Sequence, residues 1–209
     1  MSALSNMSRR DRMIAAVGGP FMAGATYGCK TVVYHEDDAY SLYYNELCGC
    51  RFLLDNRSLL AGGDLAGLEH YRRAFLLTEV QKRVILEEYD VIVKNQHGPY
   101  GNLTNLTCLH GCSRYGIDYF EQASRWVEKW PELAEQANGS LHYGCNMFIC
   151  KPTKFVEMME HEFAYIDEML REKRLSLAVI SYFAETILTP YIIDKHCNKI
   201  YTSTVVTPC

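Results

Sequence analysis

The sequence lacks an apolar run long enough to cross a membrane. The longest apolar stretch of its C-terminal half, residues 175–188, is interrupted by serine, glutamate and threonine, whereas a membrane-spanning helix needs about 20 mostly apolar residues. The run at residues 14–17 precedes Gly18-Gly19-Pro20 and is too short for a signal peptide. We therefore predict a cytoplasmic protein without a membrane span, and leave peripheral association with a membrane open.

An excess of positive charge is also missing. The chain has 21 Lys and Arg against 25 Asp and Glu, which gives a formal net charge of −4. Proteins that bind nucleic acids usually carry a basic surface, so no nucleic-acid partner is expected. The chain has neither an Asp-x-Asp motif nor a glycine-rich phosphate-binding loop.

Cysteine is plentiful, but the paired C-x2-C spacing of a zinc site is absent. The chain has nine cysteines, and pairs such as Cys48 and Cys50, or Cys108 and Cys112, have other spacings. Several lie in apolar segments. This pattern favours buried free thiols in a reducing compartment over disulfides.

The length of 209 residues fits a single domain, residues 1–209, whose first 30 residues contain no element that the pattern defines. After this lead segment, predicted strands and helices alternate, which favours an α/β layer fold. The predicted strands are 30–34, 65–68, 89–93 and 146–149. Helices are predicted at residues 44–54, 155–170 and 177–191. Two further helices are predicted to begin at caps: one after Thr78, with Val80, Val84 and Leu86 as its apolar positions, and one after Asp118.

The four residues His70-Tyr71-Arg72-Arg73 follow the buried strand 65–68. Ligands of open α/β sheets bind beyond the carboxyl ends of strands, and adjacent guanidinium groups there suit a phosphate or diphosphate. His70 could donate a proton near neutral pH. The alternative is that both arginines cap the strand end and pair with nearby carboxylates, and the spacing alone does not decide between the two.

Four further residues are candidates. Glu46 lies near the start of a predicted helix, where the helix dipole favours a carboxylate. The alternative is that Glu46 orients an arginine or a ribose hydroxyl. Asn146 begins a buried strand. Glu185 lies among apolar residues and must be paired or protonated there, so it is an internal ion-pair partner or a catalytic base. His110 lies in the long glycine-rich loop 95–115, where it contacts substrate or solvent.

Two of these segments resemble the motifs of a known family. Residues 67–73, Gly-Leu-Glu-His-Tyr-Arg-Arg, resemble the GLxHYRR signature of a bacterial glycosyltransferase-like family found in capsule and lipopolysaccharide gene clusters, a domain of unknown function. Residues 146–149, Asn-Met-Phe-Ile, resemble its N-M-F-I strand, and residues 44–47 its Y-x-E-L helix start. The resemblance covers roughly residues 40–205.

The resemblance implies a glycosyltransferase A-type fold, a Rossmann-like mixed sheet flanked by helices. It also implies transfer of a sugar from a nucleotide-sugar donor to a glycan or lipid-linked acceptor in cell-surface polysaccharide synthesis. The alternative is a non-catalytic relative that binds a glycan or a partner. The implied catalytic residues are His70 and Glu185, and the implied substrate-binding residues are Arg72, Arg73, Tyr71, Glu46, His110 and Asn146.

Two departures from the family stand out. Where this fold usually holds a divalent cation with Asp-x-Asp, the chain has the two arginines, and we expect Arg72 or Arg73 to supply the positive charge, with Mn²⁺ or Mg²⁺ as the alternative. Family members open with an additional strand, and residues 16–19 match a later segment. We therefore expect the first strand of the sheet to be missing or replaced.

Overall fold

The strands of the chain form a six-stranded sheet and a small two-stranded sheet in a computed structural model, which describes residues 13–18, 29–34, 46–69, 74–95, 106, 117–139, 143–172 and 177–206. The strands are β1 (Met13–Gly18), β2 (Cys29–Tyr34), β3 (Leu65–Leu68), β4 (Ala74–Phe75), β5 (Val91–Asn95), β6 (Tyr143–Cys150), β7 (Ile200–Ser203) and β8 (Val205–Val206).

The larger sheet is mixed, with the order β2-β1-β3-β6-β5-β7. Strand β6 runs antiparallel to both of its neighbours, β3 and β5, whereas β1 is parallel to β2 and β3, and β5 is parallel to β7. The five strands other than β6 therefore all point the same way. Strands β4 and β8 pair antiparallel in the small sheet.

Helices cover the sheet. They are α1 (Glu46–Asp55), α2 (Glu79–Glu88), α3 (Ile117–Lys129), α4 (Ala134–Asn138), α5 (Pro152–Arg171), α6 (Leu177–Phe183) and α7 (Thr189–His196). A π-helical turn, Ala184–Leu188, joins α6 to α7. In the described part of the chain, no helix combines the length and the apolar character needed to cross a membrane.

Helix α5 illustrates how the sequence builds the main core. Pro152 occupies its first turn, where a missing amide hydrogen costs nothing. Phe155, Met159, Phe163 and Ile166 recur at helical spacing and are buried in one cluster with α1 and α7. Each such side chain contributes about 1.5–3 kcal/mol relative to an exposed position, so the predicted amphipathic helix is confirmed.

A smaller core lies under α2, where buried residues of β3, β4, β5 and β6 meet Leu86. The predicted cap is confirmed: the Thr78 hydroxyl accepts from the Gln81 amide, and the Gln81 side chain accepts from the Thr78 amide. The three apolar positions do not share one buried face, because Val80 and Val84 are 64% and 59% exposed, whereas Leu86 and Lys82 are buried.

The lead segment, residues 1–30, contributes strand β1 to the interior of the larger sheet. The sequence pattern defined no element in this segment, yet β1 pairs with both β2 and β3. Interior parallel strands are short, continuous apolar runs rather than alternating ones, and a six-residue run of this kind gives no periodic signal.

Two other predictions of detail are wrong. Asp118 lies inside α3, which begins at Ile117, rather than capping it. The C-terminal helical stretch is not one α-helix, because the π-helical turn interrupts it. The α/β class and the mixed sheet flanked by helices are confirmed, as are buried free thiols at Cys150 and Cys197. Burial raises the pKa of the Cys197 thiol to about 12, which keeps it protonated.

Candidate functional site

The carboxyl ends of the five parallel strands share one edge of the larger sheet, which we call the carboxyl edge. Strand β3 reaches this edge at Leu68 and is followed by Glu69. Residues His70, Tyr71, Arg72 and Arg73 come next, but they lie outside the described residues, as does His110. The predicted buried strand 65–68 is confirmed as β3, and the site itself remains a prediction.

The pairing of β3 with β6 brings the two sequence motifs side by side. Gly67 is opposite Ile149, and Leu68 is opposite Phe148. A Cβ atom on Gly67 would collide with the Phe148 carbonyl group and lie 2.7 Å from the Ile149 Cα. Only glycine allows the two backbones to approach so closely, which gives the glycine of the first motif a physical reason.

Asn146 and Glu46 are placed towards the same edge by the chain path. Asn146 lies two residues before Phe148 in β6, so it is nearer to the carboxyl edge than the Leu68–Phe148 pair. Glu46 is the first residue of α1, which joins β2 to the beginning of β3. The amino end of such a connecting helix points to the carboxyl edge. The side chains of both residues lie outside the description.

Glu185 lies in the π-helical turn, which packs against β6, the strand of Asn146. Its side chain is half-buried rather than enclosed. Single π-helical turns inside α-helices occur often at functional sites. The predicted pairing of Glu185 with an arginine, and its role as a base, remain predictions.

Glu69 is the residue at this edge that the sequence analysis missed. Its Oε1 accepts a hydrogen bond from the Phe75 backbone amide at 3.1 Å and another from Lys82 Nζ at 3.1 Å. Lys82 Nζ also donates to Glu79 Oε1 at 2.9 Å. One carboxylate therefore joins the end of β3, strand β4 and helix α2.

Lys82 is a buried cation, with 3% of its surface exposed. Burial lowers its pKa, but the carboxylates of Glu69 and Glu79 outweigh burial, and the net pKa is raised. The ammonium group therefore stays charged between two carboxylates. The i, i+3 spacing of Glu79 and Lys82 was a visible signal, but it is usual on solvent-facing helices as well.

No three His, Cys, Asp or Glu side chains of the described ranges come together as a candidate metal site. Of the described carboxylates, Glu69 and Glu79 both pair with the Lys82 ammonium group.

A solved structure with a similar fold is the apo form of the WbbM bifunctional glycosyltransferase. The two chains superpose with a TM-score of 0.64 at 17% sequence identity, over 97% of this chain and 45% of the WbbM chain. This chain thus spans less than half the length of that protein. No family model and no curated protein matches the chain. At this identity the shared feature is the fold, and the expected glycosyltransferase-like fold is confirmed.

Proposed function

From a fold shared with a glycosyltransferase, we propose that this protein transfers a sugar from a nucleotide-sugar donor to a glycan or lipid-linked acceptor in cell-surface polysaccharide synthesis, and that it has the A-type fold. The observation that carries the proposal is the end of β3. In the sequence, the two arginines follow this buried strand. Gly67 and Leu68 of β3 pair with β6, the strand that contains Asn146.

The arginines have the charge that the reaction requires. When the bond between sugar and nucleotide breaks, the nucleoside diphosphate gains negative charge, and fixed positive groups stabilise it. Arg72 and Arg73 are permanently charged and bind phosphate oxygens in a bidentate way. We assign them the diphosphate, with Tyr71, Glu46, His110 and Asn146 as further contacts to the substrates.

Proton transfer is assigned to two residues. An acceptor hydroxyl must lose its proton as it attacks the sugar, and a carboxylate or a neutral imidazole can take it. Glu185 is half-buried in a turn that packs on β6, and His70 is two residues beyond the end of β3. Both are therefore candidates, and a fall of kcat in Glu185→Gln with unchanged donor affinity would support Glu185 as the base.

Nucleotide binding is the first test. We expect a nucleoside diphosphate or nucleotide sugar to raise the melting temperature, since a ligand at a hundredfold excess over its Kd stabilises the native state by about 2.7 kcal/mol. Arg72→Ala and Arg73→Ala should reduce this shift. The matched control is Arg57→Ala, an exposed arginine between α1 and β3 that pairs with Glu160 and donates to the Leu54 carbonyl group.

Two outcomes would contradict the proposal in different ways. If no nucleotide shifts the melting temperature, the non-catalytic alternative, a relative that binds a glycan or a partner protein, is favoured. If turnover is lost with a chelator and restored by Mn²⁺, the assignment of the diphosphate charge to the arginines alone is wrong.

A further inference from the structure

Two histidines of neighbouring helices lie against each other at the C-terminal end of α7. The ring centroids of His161, in α5, and His196, the last residue of α7, are 4.3 Å apart. His161 is exposed, whereas the side chain of His196 is only 10% exposed. One imidazole is therefore accessible to ions in solution, and the other is held within the protein.

Glu157 of α5 fixes the orientation of the buried ring. His196 Nδ1 lies 3.1 Å from Glu157 Oε1, and because a carboxylate only accepts hydrogen bonds, Nδ1 carries the hydrogen. The carboxylate is held in turn by Lys154, whose Nζ donates to Glu157 Oε2 at 2.7 Å and to the His196 carbonyl oxygen at 3.0 Å. In the neutral His196 ring, the lone pair is then on Nε2.

This second ring nitrogen of His196 is the unexplained atom of the cluster. Nε2 is buried without a hydrogen-bond partner among the described atoms, and buried polar atoms normally have one. A histidine that ligates a metal shows the same arrangement, since one ring nitrogen donates to a carboxylate and the other binds the ion. The C-terminal end of α7 also favours a cation, because the last carbonyl groups of a helix carry partial negative charge.

We propose that His161 and His196 bind one divalent transition-metal ion, of the class of Zn²⁺, Ni²⁺ and Cu²⁺, and that Glu157 positions His196 for it. Imidazole nitrogens suit these ions, and two nitrogens about 2.0–2.1 Å from one tetrahedral ion lie roughly 3.3 Å apart. The exposed His161 ring can turn towards His196 Nε2 without disturbing the core. Water fills the remaining positions, because the described residues supply no third protein ligand. The site does not depend on the proposed sugar transfer.

The first test is calorimetric titration of the full chain with Ni²⁺. His161→Gln removes one imidazole at an exposed position, and His196→Gln removes the other but keeps an amide donor for Glu157. His142→Gln is the matched control, since it removes a histidine from elsewhere in the sequence. We expect the wild type and the control to bind one Ni²⁺ that both other variants bind about a hundredfold more weakly, because two linked ligands bind more tightly than one.

The positioning role of Glu157 needs a separate comparison. Glu157→Ala removes the acceptor of His196 Nδ1 and should weaken Ni²⁺ binding by about tenfold to a hundredfold. Glu157→Gln should restore most of the affinity, because its carbonyl oxygen can accept the same hydrogen bond. The control is Glu160→Ala, which removes an equal charge beside His161 in the sequence, from a carboxylate that pairs with Arg57. We expect it to bind Ni²⁺ like the wild type.

Four results would overturn the inference. A wild-type chain that binds no Ni²⁺, or binds it as tightly as His161→Gln does, has no two-histidine site. A thiolate-to-metal charge-transfer band of bound Co²⁺ that is unchanged in His161→Gln would assign the metal to cysteines instead. Equal losses in Glu157→Ala and Glu160→Ala would show that only charge matters and that Glu157 positions nothing.

Discussion

At the scale of single residues, Glu162 has the least usual surroundings among the described side chains. It is 1% exposed, in α5, and its Oε1 accepts a 2.7 Å hydrogen bond from the hydroxyl of Thr189 in α7. Its Oε2 is buried without a hydrogen-bond partner among the described atoms. Burial raises the pKa of this carboxyl to about 7, and the bond from Thr189 offsets only part of that effect.

This raised pKa predicts a pH dependence of stability. The carboxyl group has a pKa of about 7 in the folded state and an ordinary value of 4.5, so the folded state holds the proton more tightly. The stabilising contribution is therefore complete below pH 4.5 and is lost as the pH rises to about 7, by about 3 kcal/mol. Urea denaturation of wild type and Glu162→Gln at pH 5 and pH 8 measures it. Equal pH dependence in both proteins would contradict it.

Gly67 is the second residue whose surroundings restrict substitution. Gly67→Ala should lower the free energy of unfolding by several kcal/mol, because the new methyl group meets the backbone of β6, which cannot move as a flexible side chain would. Gly62 is a useful contrast. It has a φ of 77° and open space around it, so Gly62→Ala costs only the strain of that backbone conformation, about 1–2 kcal/mol. Chemical denaturation of both variants checks the order, and a Gly67→Ala protein as stable as Gly62→Ala would contradict it.

At the scale of elements, helix α2 shows how an ion pair overrides an apolar pattern. The sequence places Val80 and Val84 one helical turn apart, as if on a buried face, but the structure turns Lys82 and Leu86 inward. The cause is the pair of carboxylates, Glu69 and Glu79, that surround Lys82. Since Glu69 lies 13 residues before Lys82, no local periodicity could report this orientation.

This orientation predicts how α2 tolerates substitution. Val80→Lys and Val84→Lys should change stability by less than about 0.5 kcal/mol, because both side chains are exposed. Leu86→Ala should cost about 2–5 kcal/mol, because Leu86 is enclosed in the small core. Thermal or urea unfolding distinguishes the two groups. A large loss in either valine variant would mean that this face of α2 is covered.

At the scale of the whole molecule, local patterns predicted elements but not their arrangement. Helix α5 and strands β3, β5 and β6 were foreseen because each buries an apolar face or run of its own. The two-residue strands β4 and β8 were not foreseen, because each is formed only by pairing with the other. The antiparallel insertion of β6 between β3 and β5 could not be predicted either, because the partners of β6 are distant from it in the sequence.

The same distinction applies to the candidate site. Its position after β3 followed from a buried run and two arginines, both visible in the sequence. That Asn146 lies on the neighbouring strand follows only from the β3–β6 register, which joins residues 82 positions apart. The contacts of Glu69 are with a backbone amide and with a lysine 13 residues later in the sequence, and no local pattern indicates either contact.

The central position of β6 has a consequence for synthesis of the chain. Strands β1, β2, β3 and β5 leave the ribosome before β6, but both sheet neighbours of β5, the strands β6 and β7, emerge after it. Until residue 150 emerges, β5 therefore has no partner in the sheet and one side of β3 is unpaired, and such unpaired strands invite pairing with other chains. A nascent chain stalled before Tyr143 is therefore an aggregation hazard and a natural client for a chaperone. Strand β7, which emerges after β6 and pairs with β5, completes the sheet.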